Sequence, residues 1–84
     1  MEKTILGKII HFYPKISVAV IELDDALKVG DKIAIERDEI SFEQIVDSMQ
    51  SEHKNIAEAK KGESIGLKTK EPTKEGARVF KVIE

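Results

Sequence analysis

The stretch from Ser41 to Gly62, Ser-Phe-Glu-Gln-Ile-Val-Asp-Ser-Met-Gln-Ser-Glu-His-Lys-Asn-Ile-Ala-Glu-Ala-Lys-Lys-Gly, decides whether this chain is all-β or carries a long helix. Phe42, Ile45, Val46, Met49, His53, Ile56, Ala57 and Lys60 recur every three or four residues, the spacing of one helix face. Ser41 with Gln44 resembles a capping box, and Gly62 stands where a helix stop belongs. The rival reading is a strand from Phe42 to Met49, followed by a polar loop with one helical turn around Ile56 to Lys60. Periodicity does not choose between them.

The flanks are less ambiguous. Thr4 to Tyr13 and Ile16 to Leu23 are rich in β-branched and aromatic residues, and Tyr13-Pro14-Lys15 separates them, so they read as two strands and a turn. Leu27-Lys28-Val29-Gly30-Asp31 leads into a third strand, in which Ile33 and Ile35 share one face and Lys32, Ala34 and Glu36 the other. Glu63 to Thr69 alternates as a strand, with Gly66 marking a bulge or a close backbone approach. Pro72 and Gly76 interrupt the chain before a last strand, Arg78 to Ile83.

At 84 residues the chain holds one domain, 1–84, with a single small core and no room for a cleft between domains. It has no cysteine, which excludes disulfides, thiolate metal sites and cysteine nucleophiles. No apolar run approaches the roughly 20 residues that span a bilayer, and Lys8 interrupts the apolar amino-terminal segment, so no membrane partner and a cytoplasmic address are expected. The 14 Lys and Arg against 16 Asp and Glu give a net charge of −2 that is unevenly spread. Residues 22–52 carry ten acids and three bases, net −7, whereas residues 54–81 carry eight bases and four acids, net +4. The second stretch is either a solvated face or a surface for an anion such as the phosphates of RNA.

Reactive groups are sparse. His11 and His53 with Asp24, Asp25 or Asp31 match no metal-ligand spacing, and no metal or other cofactor is expected. Asp47, Ser48 and His53 supply the residue types of a hydrolase triad, but nothing frames Ser48 as a nucleophile. No catalytic residue is assigned. His11, Phe12, Tyr13 and Lys15 form a cluster suited to base stacking and phosphate contact; Phe12 is expected in the core, and Tyr13 is either a rim residue or a stacking surface.

Two segments carry a resemblance. Leu27-Lys28-Val29-Gly30-Asp31-Lys32-Ile33 is similar to the L-x-x-G-D-x-I turn and strand of the second domain of translational GTPases such as elongation factor Tu. Ala59-Lys60-Lys61-Gly62-Glu63-Ser64-Ile65-Gly66-Leu67-Lys68 is similar to that family's A-x-x-G-x-x-V-G-L segment. His11 to Lys15, followed by Val18-Ala19-Val20, is similar to stand-alone translation-factor-like domains and to the carboxy-terminal barrel of collagenase-like peptidase family proteins, some of which act in tRNA modification. The likeness implies that Phe42 to Met49 is a strand and that the chain is a small six-stranded antiparallel Greek-key β-barrel of the translation-protein type. In that barrel Leu27 and Val29 would plug one end. The chain lacks G-x-x-x-x-G-K-[ST], so it is not expected to bind a nucleotide by itself. The resemblance implies a non-catalytic module docking on tRNA or ribosomal RNA, for which Tyr13, Lys15, Lys60, Lys61, Lys68 and Lys70 are the candidate contacts. The alternative is a protein-interaction accessory domain for a collagenase-like peptidase homologue or a GTPase.

Overall fold

A computed structural model of the chain describes residues 2–52 and 54–83. Every regular element among them is a β-strand: β1 (Glu2–Tyr13), β2 (Val18–Leu23), β3 (Leu27–Lys28), β4 (Lys32–Arg37), β5 (Ile40–Ile45), β6 (Met49–Ser51), β7 (Lys54–Ile56), β8 (Glu58–Ala59), β9 (Ser64–Lys68) and β10 (Arg78–Ile83). Eight of them form one antiparallel sheet in the order β5-β4-β10-β1-β2-β9-β6-β7, and β3 pairs with β8 separately. The all-β antiparallel class therefore holds. The six expected strands correspond to β1, β2, β4, β5, β9 and β10, and four short segments add to them.

Cross-strand rows build the interior. Ile9, Ile21 and Ile65 lie side by side across β1, β2 and β9; Ala19, Leu67 and Met49 across β2, β9 and β6; Val79, Ile35 and Phe42 across β10, β4 and β5. All nine belong to one buried cluster. Its members come from both ends of the strand order, so the sheet curls until its two ends cover the same core.

The Phe42 to Met49 segment corrects the single-strand expectation. β5 ends at Ile45, the chain leaves the ladder over 46–48, and Met49 begins a different strand that pairs with β7 and β9. Val46 is held instead by the turn at 28–31: its N–H donates to the Asp31 carbonyl and its carbonyl accepts from the Gly30 N–H, both at 2.9 Å. No backbone ladder closes the seam beside β5 among the described residues. Gln44 crosses it with its side chain. Its Nε2 donates to the Lys68 carbonyl at 2.9 Å, and its Oε1 accepts the Lys70 N–H at 2.7 Å. Inward Gln44 and outward Ile45 explain why the pattern looked helical: a polar residue occupies an interior place and an apolar one an exterior place.

Two turns are built alike. In Lys28-Val29-Gly30-Asp31 and Lys60-Lys61-Gly62-Glu63 the third residue is glycine at positive φ, 99° and 90°, as a type II turn requires. The closing acid's carboxylate accepts the N–H of the turn's first residue, at 3.1 Å for Asp31 and Lys28 and at 3.0 Å for Glu63 and Lys60. Leu27 is buried before the first turn, but Val29 is exposed at its tip, so only Leu27 plugs the end. The helical turn around Ile56 to Lys60 does not form; β7 and β8 occupy that segment.

β1 is the spine, pairing with β10 along its first half and with β2 along its second. Its register slips between Ile5 and Gly7 and again between Ile9 and His11, two bulges that bend the strand around the core. Gly7 pairs with both neighbours, opposite Leu23 and Val79, and a Cβ there would stand 2.2 Å from the Glu22 carbonyl oxygen. The bulges thus sit in β1. Gly66, where a bulge or close approach was expected, keeps regular register with Val20 and Gln50. Pro72 falls between strands, as anticipated.

Two outcomes are expected in urea unfolding. Gln44→Leu leaves the Lys68 carbonyl and the Lys70 N–H without their partner and lowers stability by about 1–3 kcal/mol. Gly7→Ala forces backbone apart and costs a similar roughly 1–3 kcal/mol, whereas a silent Gly7→Ala would show that the β1–β2 approach is looser than described.

Candidate functional site

Because side chains alternate across the sheet, the rows beside the core rows face outward. One outer row runs His11, Val20, Gly66, Gln50 across β1, β2, β9 and β6, and the next runs Tyr13, Val18, Lys68. Gly66 contributes no side chain to its row, so a groove of about 390 Å³ opens above it. Tyr13, Ile16, Val18 and Val20 form one wall, and the β6 end with Gln50, Ser51 and Glu52 forms the other. Tyr13 is 48% exposed and Ile16 60%. The Tyr13 ring is steadied by the edge of the His11 ring, 4.3 Å away between centroids, and His11 Nδ1 lies 3.1 Å from the Glu75 carboxylate. As expected, Phe12 packs against the core, half-buried, and Tyr13 stands exposed beside it.

The rest of the exterior is more self-contained. On the outer face of β1, β10, β4 and β5, Ile5, Phe80, Ala34 and Glu43 lie in one row, and Ala34 is fully buried although it points away from the main core cluster. Lys3 of β1 reaches Glu36 of β4 at 2.6 Å, past the intervening β10, and Lys32 pairs with Glu43 at 3.3 Å. The hydrogen bond and charge of Glu36 raise the Lys3 pKa above its ordinary 10.5. A raised lysine pKa stabilises the fold below about pH 10.5, and that contribution disappears as pH climbs through the folded-state value. Exposure of this pair to water keeps the effect small and salt-sensitive.

The six candidate RNA contacts lie around both ends of β9. Tyr13 and Lys68 stand in one outer row, and Lys15 lies in the turn that joins β1 to β2 beside them. Lys60 and Lys61 lie before the start of β9, whose five residues separate its ends by about 13 Å at ~3.3 Å per step. Lys60 lines a different depression of about 320 Å³ with Leu27, Asp31 and Lys81. Lys70 follows β9, where its backbone is tied to Gln44. Sequence reading did not place Ile16, Val20 or Gln50 at a site, because only the pairing of β9 with both β2 and β6 brings them around Gly66.

Asp47 and Ser48 are exposed in the break between β5 and β6, and His53 lies outside the described residues. Among the described residues no three His, Cys, Asp or Glu side chains are grouped to hold a metal ion. No helix among them is long and apolar enough to cross a membrane.

Ile16, exposed in the turn between β1 and β2, adds little to the fold's stability. Ile16→Ser is expected to shift the unfolding free energy by no more than about 0.5 kcal/mol in urea titration.

No protein-family model matches the chain. Over 76 residues, 89% of its length, it is 45% identical to an uncharacterized protease of Methanocaldococcus jannaschii, of which it spans only 19%. Its fold is that of the carboxy-terminal domain of a protein designated a U32 peptidase in Geobacillus thermoleovorans. The crystal structure of that domain superposes with a TM-score of 0.88 at 19% identity, covering 99% of this chain and all of that one. The selenomethionine variant gives 0.85 at 18% identity, covering 90% and 96%. These similarities favour the collagenase-like side of the resemblance over elongation factor Tu.

Proposed function

We propose that this chain is a non-catalytic accessory β-domain of a U32-type, collagenase-like peptidase system, offering a docking surface rather than reacting groups. The observation that carries the reading is the 45% identity to a segment amounting to 19% of a much longer protease. Its fold, shared with the carboxy-terminal domain of a protein designated a U32 peptidase, supports the same role. A sheet curled around one filled core leaves its functional groups on the outside, where little can be preorganised for bond cleavage.

Mixing the 84-residue chain with a U32-type peptidase polypeptide of the source organism tests this. After nuclease treatment, a one-to-one complex is expected in size-exclusion chromatography with light scattering, and the chain alone is expected to leave gelatin and fluorogenic peptides uncut. Recovery of RNA without peptidase, or turnover by the isolated chain that Ser48→Ala abolishes, would overturn the reading.

A further inference from the structure

The glycines of this chain are accounted for by backbone geometry at every position but one. Gly30, Gly62 and Gly76 have positive φ, and Gly7 sits where a Cβ would strike the Glu22 carbonyl. Gly66 has neither reason. It lies mid-strand in regular register, and a Cβ built on it would meet Val18 Cγ1 at 3.4 Å and the Gln50 carbonyl at 3.9 Å, ordinary contacts. Glycine in a strand interior weakens the strand, and where no bend or crowding explains it, close approach of another molecule does. Here its missing side chain is what leaves the floor of the outer groove open between Val20 and Gln50.

We propose that Gly66 serves to admit an apolar side chain of the peptidase polypeptide, seated in the groove between Tyr13, Ile16 and Val20 on one side and Gln50 on the other. This inference rests on the accessory-domain reading. The chemistry of the walls selects the occupant: they are largely aliphatic and aromatic, and Glu52 is the one charged residue lining the groove among the described residues. A phosphate would meet that carboxylate, while a leucine, phenylalanine or tryptophan would cover Val18 and Val20 and stack beside Tyr13, the kind of anchor that dominates protein interfaces. The length of the related protease supplies the partner, since about four-fifths of it lies beyond the segment this chain matches. By contrast, the outer face of β10 and β4 is crossed by the Lys3–Glu36 and Lys32–Glu43 pairs, and Ala34 there is already covered.

Gly66→Val separates binding from folding, because the branched side chain suits a strand and its Cβ would meet no backbone atom closer than the Gln50 carbonyl oxygen at 3.9 Å. Calorimetric titration of the chain into the U32-type peptidase polypeptide should give at least tenfold weaker binding for Gly66→Val, with a thermal midpoint no lower than that of the parent. Ile45→Glu, on β5 and outside the groove lining, should bind as the parent does. Parent-like affinity in Gly66→Val together with loss in Ile45→Glu would overturn the groove and leave the accessory-domain reading standing. If the parent forms no complex, that reading falls. The groove is then judged by amide shifts on adding N-acetyltryptophanamide: shifts centred on Gly66 and absent in Gly66→Val uphold an apolar acceptor, and none there overturns it. Single-stranded oligouridine binding that Gly66→Val abolishes, with peptidase binding unchanged, would also refute the proposed occupant.

Discussion

The amide of Gln44 holds together what the backbone leaves apart. An antiparallel sheet that curls around a core must either complete its ladder or satisfy the groups along the seam in another way, since buried N–H and C=O groups without partners are costly. Here the chain departs from β5 at Ile45, and the ladder stops. Gln44 then donates to the Lys68 carbonyl and accepts from the Lys70 N–H, joining β5 to the end of β9 through one side chain. A carboxylate could not donate and an aliphatic group could do neither, so the seam calls for an amide. Thr69 continues the tie by donating its N–H to the Ser17 carbonyl at 2.8 Å, which ties the β9 end to the β1–β2 turn.

That arrangement determines what the exterior can be. Once both ends of the sheet share one core, every second side chain is committed to the interior and the alternate ones are left for water or a partner. On β10 and β4 the outer residues find one another, with charged pairs lying over Ala34 and beside Phe80. On β2, β9 and β6 Gly66 leaves its place in the row unfilled, and Gln50 turns to Asn55 of β7 instead. The asymmetry between the two outer faces is therefore a difference of pairing register and of one missing side chain rather than of composition. It supports a role in recognition, and it fits a domain whose 45% identical counterpart is a fifth of a longer protease.

Several features of this architecture were legible in the residues. The type II turns at Gly30 and Gly62 each combine a glycine with an acid that can reach back to the turn's first N–H, a local device that needs no tertiary partner. β4 and β10 announce themselves by alternation or by β-branched content. The collagenase-like likeness of His11 to Lys15 points the same way as the similarities to known proteins, whereas those similarities lend no support to the elongation-factor reading or to an RNA surface. Lys60 and Lys61 share a charged segment with Lys68 in sequence, yet β9 runs between them and carries them to opposite ends. Charge summed along a chain does not report which charges end on one face.

What the sequence determined by itself was short in range: turns, strand-forming content, the absence of any thiol chemistry, and the size of the single core. Those properties arise from residues a few positions apart and from composition. Only the tertiary structure decided the split of 42–49 into two strands, the bulges of β1 and the identity of the groove, because each depends on which strand lies beside which. Gln44 turned inward against its polarity because the Lys68 and Lys70 backbone groups wait for it across the seam, 24 and 26 residues away in the chain. Gly66 acquired its significance only when Val20 and Gln50 came to flank it, since an empty place in a row exists only once the row has formed.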